Sequence, residues 1–420
     1  MLKKNPLLPV ALIAITLFSG CSKRAEKRLV IWTDNSEFAP YIEIFNQTHK
    51  EKAVLVYKEN IAASLPPADD ELKPDIIAGS NLKNSRTRKN FTTVDYLFNR
   101  KYITSSAFYP ALLKAGSYRC HQYLIPVNFN IPALIFSNEN KKLVKNNYTI
   151  SLDELKTAGA EFNKKNKKDA FTAIGFAPQS SVNFLYSVSE MRGAQFREDR
   201  GNSFTWNKDN LKSTIDYLKS WITTENSSTQ TESDFVYKYL SETPDKQVTS
   251  GRTLFSYITS DKLFSMNSMQ LSKIDFRWLN YNSLIQVEDS CMMMGISRKS
   301  KKMAIASDFI AWFFTPETQH DILERKIKSN LDTVQFGIAG GFSSLKDVNE
   351  HILPVYYPAM MTNIPAADSL KTPGRKPTVW KEIKNHVVLP YLSEIILEED
   401  SKKVQTMESR YSDLKKIGLY

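Results

Sequence analysis

Residues 29–49 read LVIWTDNSEFAPYIEIFNQTH, and this stretch decides the fold. Leu29 to Trp32 are four consecutive apolar residues, the pattern of a short strand buried on both faces, as in a parallel sheet. The polar run Thr33-Asp34-Asn35-Ser36-Glu37 then offers caps for a helix start. Phe38, Tyr41, Ile42 and Phe45 recur at three- and four-residue spacing and mark one apolar helix face. Pro40 is tolerated because it falls in the first helical turn. The unit is strand, polar loop, helix, with the loop at the strand's carboxyl end, where open α/β sheets bind ligands.

Working outward, Lys52 to Glu59 contains a second strand and Lys73 to Ser80 a third. Strands alternating with helical or loop segments imply a parallel sheet. The segment 118–138, YRCHQYLIPVNFNIPALIFSN, has two apolar runs joined by Pro126-Val127-Asn128-Phe129-Asn130. It fits a crossing between two lobes or a hairpin within one. Ser151, with Glu154 three residues on, predicts a capping box at a helix start. Ser180, Ser181 and Asn183 open another helix. Met292 to Ser297 is a second candidate crossing, and residues 302–314 form an apolar helix stopped by Pro316. Gly337 to Gly341 is a glycine-rich turn.

The 420 residues suffice for two or three domains at ~150 residues each. Hydrophobic residues make up 42% and charged residues 24%, values of a soluble globular chain. The net charge of +11 comes from scattered lysine runs. No aromatic-basic stripe or nucleic-acid motif accompanies them, so a solvated surface with a bias toward anionic membrane is expected rather than a nucleic-acid partner. Lys3 and Lys4, the apolar run Leu7–Phe18 and the closing Ser19-Gly20-Cys21 have a signal peptide's layout. This start resembles a bacterial lipoprotein signal, with Phe18 where leucine is usual. Acylation of Cys21 would hold the protein on a lipid bilayer. Cys120 and Cys291 remain, and their pairing is open.

Several pieces, in order, resemble the extracellular solute-binding proteins of ABC importers, in the group containing maltose-binding protein. They are LVIWTDNSEFAPYIEIFN, KPDIIAGS, YRCHQYLIPVNFNIPALIFSNEN, GRTLFSYITS, ISRKSKKMAIASDFIAWFFTPETQ and MMTNIPAADSLKTPGRKPTVWKEI. The resemblance implies an α/β fold of the periplasmic-binding-protein type II, two lobes with a hinge and an interlobe ligand cleft. It implies a signal segment over 1–21, a tether over 22–28 and an N-lobe over 29–130 and 294–345. The C-lobe would take 131–293 and 346–420, ending in helices that pack at the hinge.

The same resemblance suggests the site. Asp34, Asn35 and Glu37 follow the first strand, where family members hydrogen-bond sugar hydroxyls, a task suited to carboxylates and amides. Ser80 closes the third strand. Asn128 and Asn130 lie in the first crossing, and Ser181 and Asn183 at a C-lobe helix start. Trp380 resembles the family's sugar-stacking tryptophan, whose indole face suits the C–H face of a sugar. A second stacking tryptophan is missing; Ser260 and Asp261 stand there, and Tyr257 is the nearest aromatic. Trp278, in an alternating strand, is expected in the core.

The implied function is a monomeric, lipid-anchored solute receptor in the bacterial cell envelope. It would deliver a small solute, most simply a sugar, to a permease by hinge closure. No cofactor is expected. Catalysis is not expected either, since G-x-S-x-G, H-E-x-x-H, the P-loop and G-x-G-x-x-G are missing from the sequence. Two alternatives remain: a metal- or other non-sugar-binding relative, for which Tyr356-Tyr357 would be the tyrosine pair, and an adhesin that binds a macromolecule.

Overall fold

The computed structural model describes residues 28–328 and 335–418. Cys21, the signal segment and the tether up to residue 27 lie outside the described residues. Among the described residues no helix is long and apolar enough to cross a membrane.

The opening unit forms as its periodicity dictates. Strand β1 (Leu29–Thr33) is buried throughout, and helix α1 (Phe38–Thr48) buries Phe38, Tyr41, Ile42 and Phe45. No side chain caps the helix, contrary to expectation. The polar loop is held instead by an Asn35 turn, in which Glu37 N donates to Asn35 Oδ1 at 2.9 Å. The chain continues through β2 (Ala53–Tyr57), β3 (Ile76–Gly79), β4 (Ile125–Pro126), β5 (Pro132–Ser137) and β6 (Thr149–Ser151). Helices α2 (Leu152–Phe162) and α3 (Val182–Met191) follow, then β7 (Ser256–Thr259), β8 (Ile274–Asn280) and β9 (Met293–Ile296). The expected capping box is present at α2: Glu154 N donates to Ser151 Oγ at 3.2 Å, and Ser151 N to Glu154 Oε2 at 2.8 Å.

Two sheets organise two lobes in a periplasmic-binding-protein type II fold. The N-lobe sheet has the order β2-β1-β3-β9-β4. Its first three strands are parallel, with Leu29 opposite Ala53 and Ile31 opposite Ile76. The C-lobe sheet has the order β7-β5-β8-β6. The segment 118–138 is therefore a crossing and not a hairpin, because β4 pairs with β9 in the N-lobe while β5 pairs with β7 and β8 in the C-lobe. β9 lies antiparallel to β3, so the second crossing ends inside the N-lobe sheet.

Residues 346–356, expected in the C-lobe on resemblance, contact N-lobe residues. Asn349 Nδ2 donates to Tyr109 Oη at 3.2 Å, and Tyr356 Oη lies 3.2 Å from His320 Nε2. Val348 and Leu353 are fully buried in the apolar cluster that also holds β1 and β3. Trp278 is a core residue as expected, 1% exposed, its Nε1 donating to Asn363 O at 2.8 Å. Both described cysteines are free thiols, Cys120 exposed and Cys291 buried.

A small apolar cluster in the C-lobe (Phe171, Ile174, Ala177, Phe235, Leu240) lies beside the buried Glu232. Its carboxylate accepts from Gln179 N at 2.8 Å and Asn226 Nδ2 at 2.6 Å. Burial nevertheless pushes the Glu232 carboxyl up to about 7. The folded state then holds a proton that the unfolded state releases above the ordinary glutamate value. Stability linked to this group is full below about pH 4.5 and is lost as pH rises toward 7, by about 3 kcal/mol. Urea midpoints measured from pH 5 to 8 should fall in the native protein and fall less in Glu232→Gln. An identical slope in both would assign the pH dependence elsewhere.

Candidate functional site

A cleft of about 260 Å³ lies between the lobes. The N-lobe lines it with Asp34, Glu59, Asn60, Ser80 and Asn81, all at the carboxyl ends of β1, β2 and β3. The segment leading into β9 adds Asp289 and Ser290. The C-lobe supplies Thr378, Trp380, Lys381, Lys384 and Asn385.

Adjacent parallel strands explain the N-lobe wall. Asp34 follows β1 and Ser80 follows β3, and the two side chains meet. Ser80 N and Oγ donate to Asp34 Oδ2 at 3.0 and 2.6 Å. Gly79 permits this approach, since a Cβ there would stand 2.7 Å from Asp34 Oδ1 and 2.6 Å from Ile61 Cγ2. Burial raises the Asp34 carboxyl above its ordinary value, and the Ser80 hydrogen bonds oppose the rise.

The opposite wall is built on Asp289. Its carboxylate accepts from Lys384 Nζ at 2.8 Å, from Tyr186 Oη of α3 at 3.0 Å and from Trp380 Nε1. Burial opposes ionisation here, but the Lys384 and Lys376 ammonium groups hold the carboxyl down to about 2. Trp380 and Lys384 are one helical turn apart, so both reach the same carboxylate. Trp380 is 4% exposed. Its ring carries the Lys376 ammonium 4.5 Å from the centroid, with Phe204 at 5.9 Å and Tyr186 at 6.3 Å. Only a small part of the indole is therefore open to the cleft.

The lobes touch along one rim. Asn81 Nδ2 donates to Pro377 O at 2.6 Å and Thr378 O at 3.0 Å, and Ser85 N donates to Glu198 Oε1 at 3.0 Å.

Of the residues named from sequence, Asp34, Ser80 and Trp380 come together in the cleft. Three others staple the glycine turn. Asn35 Nδ2 and Asn128 Nδ2 donate to Ala339 O at 2.9 and 2.7 Å, and Asn130 Nδ2 donates to Gly340 O at 2.9 Å. Gly340 at φ 85° and Gly337 at φ 57° allow the left-handed backbone that presents these carbonyls. Glu37 is paired with Lys326 at 2.6 Å. Ser181 Oγ caps α3 by accepting from Phe184 N at 3.3 Å, and Asn183 is exposed. Tyr257 is buried with its hydroxyl donating to Glu288 Oε1 at 3.4 Å, and burial pushes the Glu288 carboxyl up to about 7. Tyr356 and Tyr357 diverge, the latter hydroxyl accepting from Gly337 N at 3.0 Å. Among the described residues no cluster of three metal-ligating side chains occurs.

Sequence reasoning missed Asn81, Asp289 and Lys384. The Trp380/Lys384 spacing was a visible signal for the last. Chemically, the cleft offers carboxylate acceptors, amide and ammonium donors, hydroxyls and an aromatic edge, a set suited to a polyhydroxylated guest.

The family model described as bacterial extracellular solute-binding protein matches residues 61–320. No curated protein matches the chain. Among solved structures, a solute receptor, AcbH, with exclusive preference for β-D-galactopyranose superposes with a TM-score of 0.65 at 11% identity, covering 94% of this chain and 99% of that one. A family 1 extracellular solute-binding protein from Alicyclobacillus acidocaldarius gives 0.62 at 13% identity, covering 94% and 98%. An ABC substrate-binding protein from Listeria monocytogenes in complex with cycloalternan gives 0.59 at 13% identity, covering 93% and 98%.

Proposed function

The chain belongs to the bacterial extracellular solute-binding proteins, and on that premise we propose that it is the receptor of an ABC importer. It captures a small polyhydroxylated solute, a sugar, between its lobes and hands it to a membrane permease without altering it. The observation that carries this reading is the meeting of the Asp34–Ser80 pair with the Trp380 edge in one interlobe cleft. Asp34 accepts from solute hydroxyls, while Lys384 donates. Solute that touches both walls favours the closed form, because only that form contacts it on both sides. The sugar ligands of the structural neighbours support this class and do not name the sugar.

A thermal-shift panel of neutral mono- and oligosaccharides tests the reading, with amino acids, polyamines and metals as the other arms. At least one sugar is expected to raise the unfolding temperature. Asp34→Ala should then weaken its calorimetric affinity at least tenfold, the lower end of a hydrogen bond to a charged group. Stabilisation by metals alone, or unchanged affinity in the variant, would overturn the assignment. Anchoring is assigned to acylated Cys21; Cys21→Ser should move the protein to the soluble fraction, and membrane retention would contradict the anchor.

A further inference from the structure

A second pocket, of about 290 Å³, opens where N-lobe loops 83–88 and 115–124 meet C-lobe residues 372–375. It shares no lining residue with the solute cleft. Its charged lining is wholly basic: Lys83, Arg88 and Arg375, with no acidic side chain among the described residues that line it.

Among the described residues none of these three cations forms a salt bridge, although Asp289 and Glu190 act on Lys83 from a longer range. Glu190 is bonded by Lys376 Nζ at 2.7 Å, and Asp289 by Lys384 Nζ at 2.8 Å. Glu198 accepts from Ser85 N at 3.0 Å. Lys83 Nζ donates to a neutral partner, Pro373 O, at 3.2 Å. Arg88 lays its guanidinium 3.4 Å from the centroid of Tyr118, and its Nη1 is buried with no hydrogen-bond partner. An orphaned guanidinium N–H in a basic pocket is a donor without its acceptor. Burial also pushes the Lys83 ammonium below its ordinary value, a cost that a bound anion offsets.

We propose that this pocket binds a phosphoryl dianion that bridges the two lobes, with Lys83 and Arg88 contributing from the N-lobe and Arg375 from the C-lobe. A dianion matches three cations better than a carboxylate does. Each guanidinium fork fits two phosphate oxygens, and Tyr118 holds the Arg88 plane in one orientation. Because the pocket draws on both lobes, occupancy favours their closed arrangement by linkage. The site is independent of the solute reading, since Asp34→Ala leaves all three cations in place.

Calorimetry of the full-length protein with inorganic phosphate, at constant ionic strength, is the test. Saturable binding with Kd below about 1 mM is expected. Arg375→Ala should weaken it at least tenfold with an unchanged unfolding temperature, because Arg375 is exposed. Arg88→Gln should weaken it further. Methyl phosphate distinguishes the source: equal affinity assigns the site to the phosphate of a larger solute, and exclusion assigns it to the free ion. The proposal is overturned by no saturable heat, by affinity that both variants leave unchanged, or by acetate binding as tightly as phosphate.

Discussion

Replacing Asp289 with alanine is expected to cost ~3–5 kcal/mol of stability, because it strands a cation. Asp289 is 8% exposed in its side chain and Lys384 18%, so neither charge is well solvated. The variant would leave the Lys384 ammonium without its carboxylate, and Tyr186 Oη and Trp380 Nε1 without their acceptor. A surface pair gives the contrast. Lys246 and Glu242 are 64% and 58% exposed, and Glu242→Ala should change stability by less than ~0.5 kcal/mol. Asp289→Asn separates charge from hydrogen bonding, since the amide still accepts from Tyr186 or Trp380 but does not balance Lys384. It should fall between native protein and Asp289→Ala. The depressed Asp289 carboxyl adds a pH signature: its stabilisation is present above the ordinary aspartate value near 3.8 and is lost as pH falls through about 2. Guanidinium midpoints decide the matter, and a loss below ~1 kcal/mol for Asp289→Ala would show that water, and not Asp289, balances Lys384.

The parts of the fold that local chemistry controls were legible in the sequence. The spacing of Phe38, Tyr41, Ile42 and Phe45 is a statement about one helix, and all four are buried. Ser151 and Glu154 find each other three residues apart. What depended on distant partners was not legible. Whether residues 118–138 cross or turn back is decided by β9 and β7, more than a hundred residues away. The site divides the same way. Asp34 and Ser80 follow from strand ends that must be adjacent in a parallel sheet. Asn35, Asn128 and Asn130 looked equally suited to a ligand, because an amide at a strand end has the same donors whether it meets solute or backbone. Their partners are carbonyls of Ala339 and Gly340, and only the folded chain brings those within reach. Asp289 was invisible for a related reason. Its importance lies in being shared by Tyr186 of α3 and by the Trp380–Lys384 turn, both distant from it in sequence.

Trp380→Ala should produce the other large effect, and it should fall on stability first. The indole is 4% exposed and sits among Lys376, Tyr186 and Phe204, so its removal opens a cavity in the C-lobe core. Truncations of this kind cost ~3–5 kcal/mol. A tryptophan that served only as a stacking platform would instead be largely exposed without solute, and its truncation would lower affinity with little change in the unfolding midpoint. Trp380→Phe distinguishes what the ring does from what its nitrogen does. Phenylalanine keeps most of the packing but removes the hydrogen bond to Asp289, worth ~1.5–3 kcal/mol for a charged acceptor. If Trp380 shapes the cleft by fixing Asp289, the phenylalanine variant should lose both that stability and solute affinity. If it acts by ring contact alone, the variant should bind solute as the native protein does. The short path from Trp380 to Asp289 to Lys384 favours the first outcome, since Lys384 itself lines the cleft and follows its carboxylate. A midpoint for Trp380→Ala within ~1 kcal/mol of native would refute the packing role, and undiminished affinity in Trp380→Phe would refute the positioning role.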